Sequence, residues 1–233
     1  MNLELFEKEL KKLNITLSKE QKNQLEKYYE MLVEYNKVMN LTGITEKEEV
    51  YLKHFYDSIT IARVINLEEQ ENLCDIGTGA GFPGLVLKIV YPHLKVTLVD
   101  SLNKRLEFLK IVIKELKLEE VVTAHARAEK YGITNREIYD VVTARAVAST
   151  SVLLEYSASL IKLGKYFIAM KGKLLPEEKF DTAQKELNLE LISEEKFKLP
   201  LENSERTLLK FEKKKKTPEK YPRKNAEIKK NNL

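Results

Sequence analysis

Tryptophan is absent from this 233-residue chain, which also has only one cysteine and three histidines. The single thiol, Cys74, excludes a disulfide framework and a cysteine-based metal site, and the scattered histidines form no pattern of metal ligands. The first residues lack a basic stretch followed by an apolar run, so we expect no signal peptide. No apolar run approaches the length of a membrane span. We therefore expect a soluble cytoplasmic protein that binds neither a metal nor a membrane.

Glycine and proline are also scarce, and neither occurs before Gly43. Apolar residues recur at helical spacing in this first part of the chain, and Ser18 with Gln21 forms a candidate capping box for a second helix. A further helix is predicted over about residues 46–65. We therefore expect a helical N-terminal subdomain over residues 1–66.

From Asn72 onward, short apolar runs alternate with longer helical patterns. Strands are predicted at 72–76, 94–99, 120–124, 138–144 and 163–171, with a closing hairpin of 189–198 and 205–212. Helices are predicted at about 82–91, 102–117, 149–161 and from Pro176 to 187. This alternation is typical of βαβ units in a parallel sheet, so we expect one α/β domain over residues 67–212.

Charge is distributed unevenly along the chain. The whole sequence has a net charge of only +4, yet residues 213–233 hold nine Lys or Arg against two Asp or Glu. The remainder of the chain is therefore net negative. This asymmetry predicts a polyanionic partner for the basic tail, residues 213–233.

A glycine-dense stretch, residues 73–84, reads as a strand, a turn and a helix. An apolar lead-in reaches Asp75, four glycines follow, and Pro83 suits the first turn of a helix. The segment from Gly79 matches the G-x-G-x-x-G pattern of dinucleotide sites, so an NAD-dependent oxidoreductase is an alternative. The carboxylate of Asp75 would repel a pyrophosphate, but it suits the ammonium group of S-adenosylmethionine. The stretch therefore favours that cofactor, with Asp75, Gly77 and Gly79 at its site.

Three further charged residues follow predicted strands. Asp100 ends the second strand, 25 residues past Asp75, where a carboxylate can accept both ribose hydroxyls. Glu129 follows the third strand and is a candidate acceptor for the adenine amino group. Arg145 follows the fourth strand and is a candidate donor to the cofactor carboxylate or to an RNA phosphate. Ligands of such sheets bind at the carboxyl ends of the strands, so we expect these side chains to converge.

Nearly the whole chain, from about residue 36 to 225, resembles one bacterial family. The match begins with the run from Asp75 to Gly84. The Gly-Phe-Pro-Gly ending of this run is specific in combination with a second run, Arg145-Ala146-Val147-Ala148, which we call the Arg145 motif. The other matching pieces, in the same order, are Asn40-Leu41-Thr42, His54-Phe55-Tyr56-Asp57-Ser58, Asp100-Ser101-Leu102-Asn103-Lys104-Arg105, Arg127-Ala128-Glu129, Arg145-Ala146-Val147-Ala148 and Tyr221-Pro222-Arg223-Lys224. The chain thus resembles the bacterial small-subunit rRNA guanine-N7 methyltransferases, once named glucose-inhibited division protein B.

The resemblance implies a fold, an activity and a partner. The fold is an α/β, class I S-adenosylmethionine-dependent methyltransferase fold, which is Rossmann-like with a seven-stranded, mostly parallel sheet and an N-terminal helical extension. The activity is methyl transfer from S-adenosyl-L-methionine to N7 of a guanine in 16S rRNA, free or in the small ribosomal subunit, by a monomer. The implied cofactor contacts are Gly77, Phe82, Ala128, Glu129 and Arg145. In the tail, Asn225-Ala226-Glu227 replaces a more glycine-rich run of the family, which leaves the tail contacts open.

Guanine N7 carries an exposed lone pair, so no proton must leave before it attacks a methyl group. The site then needs mainly to orient the reactants and exclude water. We therefore name no general base, and we expect Arg145 to lie nearest the reacting groups. Cys74 lies inside the first strand, where we expect a small buried hydrophobe.

The basic tail supplies the predicted RNA contacts, which combine phosphate binding with stacking of a base on Tyr221. These residues are Lys213, Lys214, Lys215, Lys216, Lys220, Tyr221, Arg223 and Lys224. The alternative is a solvated tail on an enzyme that methylates a protein or a small molecule. An RNA-binding module without catalysis is a further alternative.

The roles of His54 and Asp57 stay open. They are three residues apart, so they share one face of a predicted helix. They form either a local hydrogen-bonded pair that anchors the N-terminal helices or a part of the pocket.

Overall fold

The N-terminal part of the chain begins with two regular helices. The computed structural model describes residues 1–145, 148–174 and 178–233. Helix α1 covers Leu3–Lys11 and helix α2 covers Lys19–Met39. Ser18 Oγ accepts from the Gln21 N–H at 3.1 Å, and Gln21 Oε1 accepts from the Ser18 N–H at 2.8 Å. These two bonds confirm the predicted capping box.

The helix predicted over residues 46–65 is divided into shorter segments. They are helix α3 (Lys47–Val50), a π-helical stretch (Tyr51–Tyr56), helix α4 (Asp57–Ile59) and a 3₁₀ turn (Thr60–Arg63). The predicted helix is therefore present, but its turns change from α to π, back to α and then to 3₁₀. The carbonyl of Lys53, inside the π-helical stretch, accepts a hydrogen bond from Arg145 at 2.9 Å. Such wide turns are frequent where a helix contributes to a functional site.

A single seven-stranded sheet forms the centre of the fold. Its strands are β1 (Asn72–Ile76), β2 (Lys95–Asp100), β3 (Val121–His125), β4 (Tyr139–Arg145), β5 (Ile161–Lys171), β6 (Leu189–Lys198) and β7 (Glu205–Lys213). They lie in the order β3-β2-β1-β4-β5-β7-β6, and β7 alone is antiparallel to its neighbours. The predicted mostly parallel sheet and its closing hairpin are confirmed. Strands β1 to β5 all end at one edge of the sheet, the carboxyl edge; the opposite edge is the amino edge.

Helices cover both faces of the sheet. On the first face lie α5 (Gly84–Val90) and α6 (Asn103–Glu115), with α2 packed against both. On the second face lie α7 (Ala128–Thr134), α8 (Thr150–Ala158), α9 (Asp181–Leu187) and the last helix, α10 (Asn225–Lys230). The sequence analysis did not predict α7 or α10.

Two predicted features touch residues outside the described chain. The helix predicted from Pro176 includes residues 176 and 177, which are not described, and its described part begins at Asp181. The Arg145 motif includes Ala146 and Val147, which also lie outside the described residues.

Candidate functional site

The glycine loop between β1 and α5 joins the sheet to the first helix at the carboxyl edge. Gly77 and Gly79 have φ angles of 70° and 60°, which residues with a side chain rarely adopt. The loop is tied to β2, because the N–H groups of Gly77 and Thr78 donate to the Val99 carbonyl at 2.8 and 3.1 Å. The loop is therefore fixed at the end of β1, with Gly77 and Gly79 partly exposed.

Asp75 lies beneath this loop and is fully buried. Its Oδ2 accepts hydrogen bonds from Thr78 Oγ1 at 2.7 Å and from the Gly84 N–H at 2.8 Å. Its Oδ1 meets no hydrogen-bond donor among the described residues. Burial raises the pKa of Asp75 to about 6. Only one of the two carboxylate oxygens of Asp75 is therefore hydrogen-bonded, and its two bonds hold the loop on the first face of the sheet.

A cleft of about 590 Å³ opens at the carboxyl edge, which is an ordinary size for a small-molecule site. Its lining residues come from the ends of four strands and the loops after them, from the first turns of α6 and α7, from α8 and from the C-terminal segment. They are Ile76, Gly77, Val99, Asp100, Ser101, Arg105, Ala126, Arg127, Ala128, Glu129, Arg145, Ala148, Val152, Tyr156, Asn225 and Lys229. The cleft brings together five of the eight predicted cofactor residues, namely Gly77, Asp100, Ala128, Glu129 and Arg145. Asp75, Gly79 and Phe82 are not among its lining residues.

Two buried carboxylates of the cleft differ in how they are held. Asp100 Oδ1 accepts from the Leu102 N–H at 2.8 Å, and Oδ2 accepts from the Gly79 N–H at 2.9 Å and from Arg105 at 3.4 Å. Glu129 is 5% exposed, yet no hydrogen bond to its carboxylate forms within the described chain. The oxygens of Glu129 are not among the buried atoms that lack a partner, so they face the open cleft, where a ligand can bring an N–H or O–H group to them. These two hydrogen-bond acceptors suit the hydroxyl and amino groups of the nucleoside part of the predicted cofactor.

Arg145 connects the cleft to the N-terminal helices. Its Nη1 donates to the Lys53 carbonyl at 2.9 Å and to Asp57 Oδ2 at 3.2 Å, and its Nη2 lies 3.4 Å from His54 Nδ1. Arg206 Nε donates to the other oxygen of Asp57 at 2.9 Å. Asp57 thus bridges two arginines. His54 and Asp57 both bind Arg145, so they belong to this cluster rather than forming an isolated local pair.

His54 is held as a neutral imidazole. Burial, followed by the nearby charge of Arg145, lowers the pKa of His54 to about 4. An arginine can only donate, so Nδ1 is the acceptor and Nε2–H donates to Thr42 Oγ1, 2.8 Å away. The motif pieces that contain Thr42, His54 and Arg145 therefore meet in one hydrogen-bonded chain.

Phe82 was expected in the wall of the cofactor pocket, but the structure places it behind Arg145. Its ring stacks on His54 at a centroid distance of 4.5 Å and on Tyr28 at 5.6 Å. The Arg145 guanidinium carbon lies 5.3 Å from the centre of the ring. Phe82 is therefore a platform that orients the arginine and the histidine.

The lysine run at the start of the tail lies far from the cleft. Because β7 is antiparallel to β5, its first residues lie at the carboxyl edge and Lys213 lies at the amino edge. The nine residues of β7 span about 26 Å at roughly 3.3 Å per residue. The Lys213 side chain is also fully buried, and its Nζ donates to Glu137 at 3.0 Å and to the Ala158 carbonyl at 2.9 Å. The prediction that Lys213 contacts RNA is therefore wrong.

Among the other residues predicted to bind RNA, some are exposed and others are bound to side chains of the protein itself. Lys215, Lys216 and Lys224 are exposed. Tyr221 is 4% exposed and its hydroxyl donates to Glu186 at 2.8 Å, so its ring is not open for stacking in this conformation. Arg223 donates to both oxygens of Glu155, at 2.8 and 2.6 Å. The remaining two, Lys214 and Lys220, form ion pairs on the surface.

Several site residues were missed by reasoning from the sequence. Arg206 follows a polar turn, and only the antiparallel direction of β7 places it at the carboxyl edge beside Asp57. Asn225 and Lys229 line the cleft because the C-terminal segment returns to it, and Tyr156 of α8 lies beside them. Arg105 could have been found, since it closes the Asp100 motif that the family resemblance already included.

Neither a metal site nor a membrane span is found in the part of the chain that the structure describes. Its residues contain no group of three or more His, Cys, Asp or Glu side chains placed to hold an ion. None of its helices combines the length and the apolar character needed to cross a bilayer.

Comparison with known proteins gives a consistent picture. The family model of GidB, rRNA small subunit methyltransferase G, matches residues 21–209. Proteins named ribosomal RNA small subunit methyltransferase G from Bacillus cereus and Bacillus thuringiensis are each 52% identical over 228 residues, which cover 96% of this chain and 95% of each relative. The solved structure of M. jannaschii TYW2 in complex with AdoMet has a TM-score of 0.55 at 18% identity, covering 67% of this chain and 74% of that one. This last likeness concerns the fold alone.

Proposed function

The chain belongs to the rRNA small subunit methyltransferase G family, and from this premise we propose that it transfers a methyl group from S-adenosyl-L-methionine to N7 of guanine 527 in 16S rRNA. The observation that carries the proposal is the position of Arg145. Its side chain lines the cleft at the carboxyl edge and is bound at the same time by Lys53 and Asp57 of the N-terminal helices. Cofactor site and N-terminal helices are thereby joined at one residue.

The residues of the cleft fit the cofactor. Asp100 ends β2, where its carboxylate can accept ribose hydroxyls, and the carboxylate of Glu129 faces the cleft without a described donor. Gly77 and Ala128 also line the cleft. S-adenosyl-L-methionine supplies the methyl group on a sulfonium, which is electrophilic without a metal. Asp75 places a negative charge below the loop, and this charge favours a cationic ligand above it.

Arg145 is the residue we propose as the contact to the target nucleotide. The described contacts use three of its five N–H groups, so two are left for a phosphate or for the guanine itself. Asp57, the neutral His54 and the ring of Phe82 fix the guanidinium plane. Since guanine N7 needs no deprotonation, this positioning and the exclusion of water are the main tasks of the protein.

We also propose how the rest of the chain takes part. We place the protein in the cytoplasm, the compartment in which ribosomal RNA is modified in bacteria, and we propose a monomer as the acting form. The division into residues 1–66, 67–212 and 213–233 stays a prediction, as does RNA contact by the exposed tail lysines.

The decisive experiment is methyl transfer to small ribosomal subunits from a strain that lacks the enzyme. Tritium-labelled S-adenosyl-L-methionine is supplied, and the RNA is then reduced with borohydride and cleaved with aniline, which breaks the chain at N7-methylguanosine. We expect incorporation into 16S rRNA and one strand break, at guanine 527. Absence of label in RNA, with both free 16S rRNA and subunits as substrate, would overturn the proposal. A strand break elsewhere would reject the target base.

Arg145→Lys tests the residue that carries the proposal. Lysine keeps the charge but loses the planar set of donors, so kcat/KM is expected to fall about 10- to 100-fold, since a hydrogen bond to a charged group is worth about 1.5–3 kcal/mol. Arg63→Lys is the matched control, because Arg63 pairs with Glu195 at 3.1 Å and covers Phe197, away from the cleft. Equal activity of the two variants would contradict the role of Arg145.

A further inference from the structure

The C-terminal segment, residues 214–233, runs back along the second face of the sheet from the amino edge to the cleft. Its first anchor is Arg136, whose guanidinium donates to the carbonyls of Thr217 and Tyr221, both at 2.7 Å. Thr217 Oγ1 also donates to the Ala158 carbonyl, at the end of α8, at 2.9 Å. Two of these three contacts end on backbone carbonyls of the segment, so they fix the path of its backbone.

A buried ion pair holds the middle of the segment. Glu155 of α8 is 1% exposed, and it accepts the Arg223 backbone N–H at 2.9 Å as well as two guanidinium bonds at 2.8 and 2.6 Å. Removing one partner of such a pair leaves an uncompensated buried charge, which is strongly unfavourable. Arg223 is therefore a structural clamp, and the chain beyond it is directed along α8 toward the carboxyl edge.

The segment ends in the wall of the cleft. Tyr156 donates from its hydroxyl to Asn225 Oδ1 at 2.7 Å, and both residues line the cleft together with Lys229. Between them, Ile228 is fully buried in the core of the second face, and Asn232 donates to Ser151 Oγ at 3.1 Å. Helix α10 is thus docked at both ends, with one polar side presented to the same cleft that holds Asp100 and Glu129.

We propose that α10 is part of the site for S-adenosyl-L-methionine and that Asn225 and Lys229 bind this cofactor, rather than belonging to a tail that binds RNA alone. The inference rests on the proposed function, because it takes the cleft to be the site of S-adenosyl-L-methionine. The amide of Asn225 supplies a donor and an acceptor to the ligand, and Lys229 closes the mouth of the cleft beside it. The lysines at the start of the tail, at the amino edge, take no part in this wall.

The test is binding of S-adenosylhomocysteine, measured by calorimetry on the full chain without RNA. Asn225→Ala and Lys229→Ala are each expected to weaken binding about threefold to tenfold, and the double variant by more than tenfold, as expected for lost hydrogen bonds. The matched control is the pair Lys215→Ala and Lys216→Ala, which removes two exposed charges at the amino edge and leaves the affinity unchanged. Thermal unfolding of each variant shows whether a loss of binding is a loss of folding.

A second measurement does not depend on substitution. Trypsin can cut the wild-type chain after Lys224, Lys229 and Lys230, and we expect S-adenosylhomocysteine to slow the loss of the last residues. Unchanged affinity in both cleft variants together with unchanged proteolysis would overturn the inference, whether or not their RNA affinity falls. If wild-type protein itself fails to bind S-adenosylhomocysteine, the proposed function fails with it, so the two failures are distinguishable.

Discussion

Asp75, the buried acid below the glycine loop, couples its ionisation to folding. Burial raises the pKa of Asp75 to about 6 from an ordinary 3.8, although hydrogen bonds from Thr78 and Gly84 act in the opposite direction. Between these values the folded chain keeps a proton that the unfolded chain releases, so the stability contributed by this group falls as the pH rises. The charged form at neutral pH costs about 3 kcal/mol, at about 1.4 kcal/mol per pKa unit. A buried charge kept at such a cost is typical of a functional site.

Asp75→Asn tests this cost. Asparagine can still accept the Gly84 N–H but carries no charge, so the variant does not lose stability over the same pH range. We expect the free energy of unfolding of the variant, relative to wild type, to rise by about 2–3 kcal/mol between pH 4 and pH 7. Urea unfolding of both proteins across this range gives the difference directly. The variant should also bind S-adenosylhomocysteine more weakly, because the charge below the loop is gone.

Asp140→Asn is the control, because the contribution of Asp140 to stability depends on pH with the opposite sign. Burial acts to raise the pKa of Asp140, but hydrogen bonds from the Asn72 and Glu71 N–H groups and from Lys162 lower it overall. This group therefore contributes stability above its unfolded pKa and loses it as the pH falls. The Asn variant should be less stable than wild type by a nearly constant amount from pH 7 to pH 4, and the difference should shrink only as the pH falls below the ordinary pKa of 3.8. A constant difference between pH 4 and pH 7 at Asp75, or a difference at Asp140 that grows as the pH falls, would contradict the assigned ionisation.

At the scale of the elements, the close packing of α5 on β1 depends on one glycine. A Cβ atom on Gly84 would lie 2.5 Å from Leu98 Cδ2 and 2.8 Å from Asp75 Cβ, both in the interior of the sheet. Gly84→Ala therefore forces α5 away from β1, and we expect a loss of about 1–3 kcal/mol in the free energy of unfolding. Gly43→Ala is the control, since nothing lies within 4 Å of the added atom. Equal urea midpoints for the two variants would contradict this account.

The elements of the sheet were predictable because each carries its own pattern, whereas the orientation of side chains at the site was not. β1 follows the period of two, so Leu73 and Asp75 face α5 while Cys74 and Ile76 face the other core. The motif predicts that Asp75 lies near the cleft, but only the structure shows that Ile76, and not Asp75, lines the cleft. The same limit applies to Phe82, whose position behind Arg145 depends on the N-terminal helices.

At the scale of the whole molecule, the direction of β7 decides where positive charge is presented. The antiparallel strand carries the chain away from the cleft, so Lys215 and Lys216 lie at the amino edge. Exposed positive charges at the carboxyl edge include Lys104, after β2, Lys173, after β5, and Lys229 of α10. Composition revealed a basic tail but not its path, because the anchors of that path, Arg136 and Glu155, lie far from it in sequence.

We expect RNA binding to fall steeply with salt and to depend on the carboxyl edge. Each phosphate contact contributes about 0.9 to the slope of log affinity against log salt concentration for a duplex, and about 0.7 for a single strand. Replacing both Lys104 and Lys173 by Gln should therefore reduce this slope by about 1.4 to 1.8 and weaken binding at low salt. The measurement is a salt series of affinities for a 16S rRNA fragment that contains the target guanine.

Replacing both Lys215 and Lys216 by Gln changes the net charge by the same amount at the amino edge. A general electrostatic attraction would respond equally to the two double variants, since both lose two positive charges. A docked RNA that places its guanine next to Arg145 responds to the carboxyl edge alone, because screening limits the reach of the other lysines to about 8–10 Å at physiological salt. A salt slope that changes only with Lys215 and Lys216 would show instead that RNA runs over the amino edge, and it would restore the lysine run as the main contact.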